Sequence, residues 1–192
     1  MAALFPRWTN AVYATAIASL IATAVAAVSA PMILVRTDYG TDQHRPVIQP
    51  VEFDHRHHVR DDGIDCLYCH PDAETTPYAG VPPTELCMGC HGQIWVDSPL
   101  LAPVRESWRT GVSIAWRRVN DLPDHVYFHH GVHVHAGVPC TTCHGDVQNM
   151  ARVERHASLQ MNWCISCHRH PPGRPDEGHR ITERTTCSAC HR

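Results

Sequence analysis

The chain has 192 residues, a formal net charge of −3 with neutral histidines, and the unusual counts of 17 histidines and 10 cysteines. This length is typical of one domain with a small appendage. The slightly acidic charge excludes the basic surface that nucleic-acid binding requires, so no nucleic-acid partner is expected.

An apolar segment near the N-terminus predicts a membrane anchor. Residues 11–35 carry no charged side chain, and their length is enough to cross the roughly 30 Å hydrocarbon layer of a bilayer. The alternative is a cleaved signal peptide, because A-V-S-A at 27–30 resembles a processing site. The apolar run is longer than a usual signal core, and Pro31 follows that site directly. We therefore expect residues 1–35 to form a retained transmembrane helix, followed by a polar, proline-interrupted tether at 36–50.

Two later segments repeat one pattern, V-x-F-x-H-x-x-H-V, a short gap, and then G-[I/V]-x-C-x-x-C-H. Both copies place a phenylalanine and two histidines identically: Phe53, His55 and His58 in the first, Phe128, His130 and His133 in the second. The repeat predicts units at 51–93 and 126–170. A spacer at 94–125 separates them, and a terminal segment at 171–192 follows.

All ten cysteines fall into five C-x-x-C-H motifs. The cysteine pairs are Cys66 and Cys69, Cys87 and Cys90, Cys140 and Cys143, Cys164 and Cys167, and Cys187 and Cys190; the histidines that follow them are His70, His91, His144, His168 and His191. This motif is the signature of c-type haem attachment. Two thiols at this spacing bind the two vinyl groups of one porphyrin, and the adjacent histidine becomes the first axial ligand of the iron. The motifs therefore predict five covalently bound haem c groups.

Three other chemistries use paired cysteines. Zinc sites combine such pairs in sets of four ligands, which would leave one pair over and the trailing histidines unexplained. Disulfide frameworks use longer and more scattered spacings. Thioredoxin-like redox chemistry needs a single motif in a βαβ setting. The haem interpretation accounts for all ten cysteines.

Five haems need up to five further axial ligands, and the repeated histidines are the candidates. His55, His58, His130 and His133 stand in pairs three residues apart, so both imidazoles of a pair project to one side of a helical turn. We expect each pair to serve two neighbouring haems. The fifth ligand is predicted to be Met150, with Met161 or His156 as alternatives; a methionine would raise the reduction potential of its haem.

The fold class follows from the same features. The sequence contains no long amphipathic period and no alternating strand pattern, and aliphatic residues are sparse outside the anchor. We expect a mostly irregular chain with short α-helices, built as c7-like (class III) multihaem cytochrome modules with one N-terminal transmembrane helix. The porphyrins should supply most of the core. In the spacer, P-V-R-E-S-W-R-T predicts a short helix that ends near Gly111.

The chain resembles the pentahaem cytochrome c subunit of alternative complex III over nearly its whole length. Beyond the N-terminal span, the matching segments are QPVEFDHRHHV, GVPPTELCMGCHGQI, WRRVNDLPDHVYFHHGVHVHAGVPCTTCHGDV, MNWCISCHR and CSACHR. His125 and His129 depart from the residues usual at their positions, which argues against them as ligands.

The resemblance implies an electron-transfer subunit that is not an enzyme by itself. Complexes of that family oxidise menaquinol and pass electrons to a soluble carrier or a terminal oxidase. The implied partners are an iron–sulfur subunit, polytopic membrane subunits and a monohaem cytochrome c. Because haem c is attached outside the cytoplasmic membrane, we expect a single-pass protein with its haem domain on the periplasmic side.

Two other functions stay open. One is a stand-alone, membrane-tethered multihaem quinol dehydrogenase. The other is a multihaem enzyme such as a nitrite reductase. Such enzymes often replace a motif histidine with lysine, and this sequence contains no lysine.

Overall fold

The computed structural model describes residues 6–171 and 183–191. The chain separates into two compact units that divide between Asp42 and Gln43. Most of the predicted terminal segment at 171–192 lies outside the described residues.

The N-terminal unit is dominated by α1, Thr9–Leu34, followed by the single turn α2, Asp38–Thr41. Helix α1 has 26 residues, no buried side chain and a mean hydropathy of 2.1 in its most apolar window. At 1.5 Å per residue it is about 39 Å long, enough for the hydrocarbon layer. It is the one candidate membrane span among the described residues.

The second unit contains short helices joined by irregular segments. The helices are α3 (Cys66–Cys69), α4 (Thr84–His91), α5 (Ala102–Thr110), α6 (His130–His135), α7 (Cys140–His144), α8 (Met161–Arg169) and α9 (Cys187–Cys190). A π-helical turn spans Arg56–Asp61, and 3₁₀ turns span Pro71–Glu74, Pro99–Leu101 and Val147–Asn149.

Strands are absent from residues 6–171 and 183–191. Their extended pairing is limited to isolated bridges, Gln43 with Arg155 and Pro46 with Glu154. The predicted fold class, short helices within a mostly irregular chain and one N-terminal candidate span, is confirmed.

The polypeptide itself provides little apolar core. In the described part of the chain, the buried apolar residues are Val51, Ala73, Val104 and Ala157, and no large side chain is fully buried. A unit of this size normally buries most of the surface that its unfolded chain exposes. The described chain therefore folds around little apolar side-chain volume of its own, as the composition led us to expect.

The spacer forms the short helix that its sequence predicts. Helix α5 ends at Thr110, and Gly111 follows with φ +71°, a conformation that favours glycine. Its N–H donates to the carbonyl of Ser107 at 2.9 Å. Helix α5 packs on α4, where the hydroxyls of Thr84 and Ser107 are 2.7 Å apart. The spacer thus contacts the helix that carries the second cysteine motif.

Candidate haem-binding sites

Each cysteine motif lies on a short helix, α3, α4, α7, α8 or α9. Residues three apart on a helix share one face, so both thiols of a pair project to the same side. In the first motif the Asp65 carboxylate accepts from the backbone N–H of Leu67 at 2.8 Å and caps α3. One helical turn is therefore enough to present two thiols and the following histidine to one ligand.

The second motif shows how its helix leaves both thiols accessible. Cys87 is half-buried and Cys90 is exposed. The Cys90 carbonyl accepts from the N–H groups of Gln93 at 2.9 Å and Ile94 at 3.0 Å, which turns the chain just after the motif histidine. The predicted attachment of a porphyrin to Cys87 and Cys90, like that to the other four pairs, stays a prediction, and the accessible thiols are compatible with it.

The cysteine geometry does not support the zinc and disulfide interpretations. All ten cysteines are unpaired, and each is exposed or half-buried. Within the described ranges, no three His, Cys, Asp or Glu side chains converge on a point where one metal ion could be held. A structural zinc site needs four such ligands together. The ten cysteines instead form five separate pairs, as five attachment points would.

Electrostatic interactions between cysteine thiols indicate which motifs are neighbours in space. Burial raises the pKa of the Cys87 thiol, and the nearby Cys69 thiol raises it further. The first and second motifs are therefore neighbours. Burial and then Cys140 raise the pKa of Cys66, which links the first motif to the third.

The same relation continues through the C-terminal half. Burial, followed by Cys167 and Cys164, raises the pKa of Cys143, which links the third motif to the fourth. Burial and then Cys190 raise the pKa of Cys164, which links the fourth to the fifth. The spatial order is second, first, third, fourth, fifth.

Three of the four repeated histidines face a motif histidine at one common distance. The ring centres of His58 and His91 are 6.1 Å apart, those of His130 and His144 6.3 Å, and those of His133 and His168 6.0 Å. A metal–imidazole bond is about 2 Å long, and the bonded nitrogen lies about 1 Å from its ring centre. Two imidazoles on opposite sides of one metal ion therefore have centres about 6 Å apart. These three pairs fit an iron held between them.

The fourth repeated histidine, His55, lies beside the first motif. Burial, followed by the neighbouring His70, lowers the pKa of His55 to about 4. Burial likewise lowers the pKa of His133 and of His144. Neutral imidazole is the form that binds a metal ion, so these three side chains are in the required state at neutral pH.

Hydrogen bonds at Nδ1 orient most of the candidate ligands. A ligand histidine binds metal through one ring nitrogen and usually donates the other N–H to a fixed acceptor. The Nδ1 atoms of seven candidates lie within hydrogen-bond distance of main-chain carbonyls: His58 on Asp54 (3.0 Å), His70 on Gly80 (3.0 Å), His91 on Ile94 (3.3 Å), His130 on Pro77 (2.8 Å), His133 on His129 (2.9 Å), His168 on Arg184 (2.9 Å) and His191 on His125 (3.0 Å).

Two candidates differ. His144 places Nδ1 3.0 Å from the side-chain amide of Asn120, and Nδ1 of His55 is buried without a hydrogen-bond partner. His135 also bonds a main-chain carbonyl through Nδ1, on Gly131. A hydrogen bond at Nδ1 alone therefore does not identify a metal-binding histidine. It does so only together with a second imidazole on the side of Nε2.

The phenylalanine of the repeat packs against both histidines of its own copy. Phe53 meets His55 edge-on at 4.8 Å and 81°, and stacks on His58 at 4.3 Å and 23°. In the second copy, Phe128 meets His130 at 4.8 Å and 87°, and stacks on His133 at 4.5 Å and 28°. The two phenylalanines hold the same place in both copies of the repeat, and this shared place is the signal in the sequence for their packing role.

His125 supports the fifth motif from the side of Nδ1. Its ring centre lies 5.6 Å from that of His191, whose Nδ1 is 3.0 Å from the His125 carbonyl. Nδ1 and Nε2 of an imidazole point in nearly opposite directions. The carbonyl of His125 thus occupies the Nδ1 side of His191, and the ring separation of 5.6 Å is shorter than the 6.0–6.3 Å of the three facing pairs.

The three residues predicted for the fifth distal position lie in different surroundings. Met150 follows the turn Val147–Asn149, which packs against the π-helical turn Arg56–Asp61. Met161 is the first residue of α8 and is mostly exposed. The ring of His156 packs against Gly145, next to the third motif. The predicted assignment to Met150 stays a prediction.

Two histidines outside the repeated positions have other contacts. His57 stacks on Trp95, with ring centres 5.2 Å apart, and its Nε2 lies 3.6 Å from Asp62. His44 lies 3.4 Å from Glu154 and meets the ring of His156 edge-on.

Known proteins resemble this chain in two ways. Residues 126–192 match the family described as cytochrome c7 and related cytochrome c. The multihaem cytochrome c subunit of menaquinone reductase from Nitratidesulfovibrio vulgaris (strain Hildenborough) is 28% identical over 167 residues, covering 75% of this chain and 77% of that protein. The matched part is thus similar to c7-type multihaem cytochrome domains. Cytochromes of this type carry covalently bound haems.

Proposed function

We propose that this chain is a membrane-anchored pentahaem cytochrome c that relays electrons within a quinol-oxidising complex of the alternative complex III type. The anchor is residues 1–35 and the haem-bearing region is 51–192. The observation that carries the proposal is the set of three imidazole pairs at 6.0–6.3 Å on motifs that are neighbours in space.

The residues that would hold each haem follow from these pairs. The two cysteines of a motif would attach the porphyrin, and the motif histidine would bind its iron. His55 and His58 serve the first and second motifs, and His130 and His133 the third and fourth. Each haem, when bound, supplies an iron that accepts and returns one electron. One repeat copy would thus join two adjacent haems.

The proposed ligand set disfavours other chemistry at these sites. Two neutral imidazoles on one iron would leave no open position for a small molecule. Nδ1 contacts with main-chain carbonyls keep most of these imidazoles in place. A rigid ligand set changes little when an electron arrives, which favours fast relay over catalysis.

The fifth motif lacks a repeat copy of its own. For its distal position we retain Met150, with Met161 and His156 as the alternatives. A thioether would give this haem a higher potential than those with two imidazoles. An electron paramagnetic resonance (EPR) spectrum of the oxidised protein distinguishes imidazole–thioether from bis-imidazole ligation, and Met150→Ala should change one signal of the five.

The proposed partners are an iron–sulfur subunit, polytopic membrane subunits, a monohaem cytochrome c, and a soluble carrier or terminal oxidase as acceptor. Helix α1 supports attachment to the cytoplasmic membrane, with the haem domain on the periplasmic side. The relative named above belongs to a menaquinone reductase, which supports a link to the quinone pool. A relay of this kind conducts in either direction, so the potentials of its partners set the direction of flow.

Purification from native membranes tests the proposal. We expect five haems per chain, co-purifying membrane subunits, and quinol oxidation that is lost when this chain is separated from them. Quinol oxidation retained by the isolated chain would favour a stand-alone quinol dehydrogenase. Carbon monoxide binding to an iron of the intact protein would favour a multihaem enzyme.

A further inference from the structure

Asn120 stands apart from the other partners of the motif histidines. His70, His91, His168 and His191 each place Nδ1 against a main-chain carbonyl, whereas His144 places Nδ1 against a side-chain amide. A main-chain acceptor is the same for any residue type. A side-chain acceptor is chosen by the sequence, so its charge and strength can vary at this motif alone.

The orientation of the Asn120 amide identifies the carbonyl as the acceptor. The amide nitrogen is placed 3.0 Å from His144 Nδ1, while the amide oxygen is buried without a hydrogen-bond partner. The oxygen and nitrogen of an amide are interchangeable in assignment. A His144 that binds metal through Nε2 carries its proton on Nδ1 and must donate it. Rotating the amide gives the His144 Nδ1–H an acceptor and gives the buried amide oxygen a donor.

The loop that carries Asn120 is held from both sides. Gln49 donates to the carbonyl of Arg117 and accepts from its N–H, both at 2.8 Å. The Arg155 guanidinium donates to the carbonyls of Val119 and Asp121, both at 3.3 Å. These bonds fix the main chain immediately before and after Asn120. The main chain therefore holds the Asn120 amide in place beside His144.

The third motif also occupies a central place. Its cysteines neighbour those of the first motif on one side and of the fourth on the other. Electrons that cross between the two repeat units would pass this position. A change in its potential would affect every transfer between the two halves.

We propose that Asn120 is a positioning residue that sets the reduction potential of the third haem through His144. This inference rests on the proposed attachment of a haem at that motif. Oxidation of the iron makes Nδ1–H a stronger donor, so an acceptor of greater negative charge stabilises the oxidised form and lowers the potential. A neutral amide keeps the potential higher than a carboxylate would.

The test compares Asn120→Asp, Asn120→Leu and Asn149→Asp in the full-length protein. Redox titration followed by optical absorption should resolve one component that moves. In Asn120→Asp we expect its equilibrium constant for reduction to fall about tenfold, or about 59 mV for one electron. In Asn120→Leu the reduction potential of the same component should rise. Asn149 is exposed, so its variant adds the same charge without a bond to Nδ1 and should shift no component comparably.

The outcomes separate this inference from the proposed function. Five haems per chain with an unchanged titration in Asn120→Asp would overturn the role of Asn120 alone. Shifts of equal sign in the Asp and Leu variants would point to packing and would also overturn it. Loss of one haem already in the unsubstituted protein would overturn the proposed attachment itself. Because Asp is nearly isosteric with Asn, the decisive variant should fold.

Discussion

Gly131 allows α6, which carries His130 and His133, to lie directly against the main chain near the first motif. A Cβ atom added at Gly131 would meet the Glu74 carbonyl oxygen at 2.5 Å. An ordinary contact requires at least 3.4 Å, so in Gly131→Ala the helix would have to retreat by about 0.9 Å. The contacted atom belongs to the backbone and cannot simply rotate away.

The energetic balance favours destabilisation. Overpacking costs about 1–3 kcal/mol, and loss of the 2.8 Å bond between His130 Nδ1 and the Pro77 carbonyl costs about 1 kcal/mol more. Alanine regains about 1 kcal/mol of helix propensity over glycine. The net loss of about 1–3 kcal/mol should lower the unfolding midpoint by about 2–12 °C for a chain of this size.

Thermal unfolding followed by circular dichroism measures this loss, and an EPR spectrum of the same sample reports on His130. We expect one low-spin signal to change, since His130 loses the acceptor that orients it. Val132→Ala is the matched control on the same helix, because Val132 is 64% exposed. A midpoint for Gly131→Ala equal to that of the control, with an unchanged spectrum, would refute the close packing of α6.

Three further predictions concern the imidazoles directly. His130→Ala should open one iron, seen as new carbon monoxide binding, whereas an unchanged low-spin spectrum would show that His130 is not a ligand. Phe128→Leu removes the ring between two distal imidazoles and should change two EPR signals together; Phe53→Leu should change a different two, and overlap between the affected pairs would contradict the assignment. Stability should fall as the pH is lowered from 6.5 towards 4, because burial, together with the iron that His55 is proposed to bind, keeps this imidazole neutral in the folded chain while it becomes protonated in the unfolded chain. Thermal unfolding across this range should show a smaller pH dependence in His55→Gln.

Local patterns in the sequence predicted those parts of the sites that are themselves local. The cysteine spacing places two thiols on one helical turn, and the spacing of His130 and His133 places two imidazoles on one side of α6. The end of α5 at Gly111 was predictable for the same reason, because a glycine after the last helical residue acts within one turn. None of these features depends on contacts between distant parts of the chain.

Long-range contacts account for what could not be predicted. The carbonyl that orients His130 belongs to Pro77, 53 positions earlier in the chain. The first and third motifs are neighbours because Cys66 lies close to Cys140, 74 positions later in the chain. Neither contact has a periodic or compositional signal. The spatial order of the motifs, with the second at one end, therefore departs from chain order in a way that only the folded structure reveals.

The two repeat copies also explain why the fifth site is the hardest to assign. Each copy carries its own phenylalanine and two histidines, so the same proposed arrangement applies to four motifs and the two copies can be compared with each other. The fifth motif has no such copy, and the residue nearest to its histidine, His125, lies on the side of Nδ1. A ligand for its other side must come from a segment without an internal counterpart. The same holds for Asn120, whose contact with His144 lies outside the repeated pattern. Features that occur once in a chain need the three-dimensional contacts, or a measurement on that one haem, to be found.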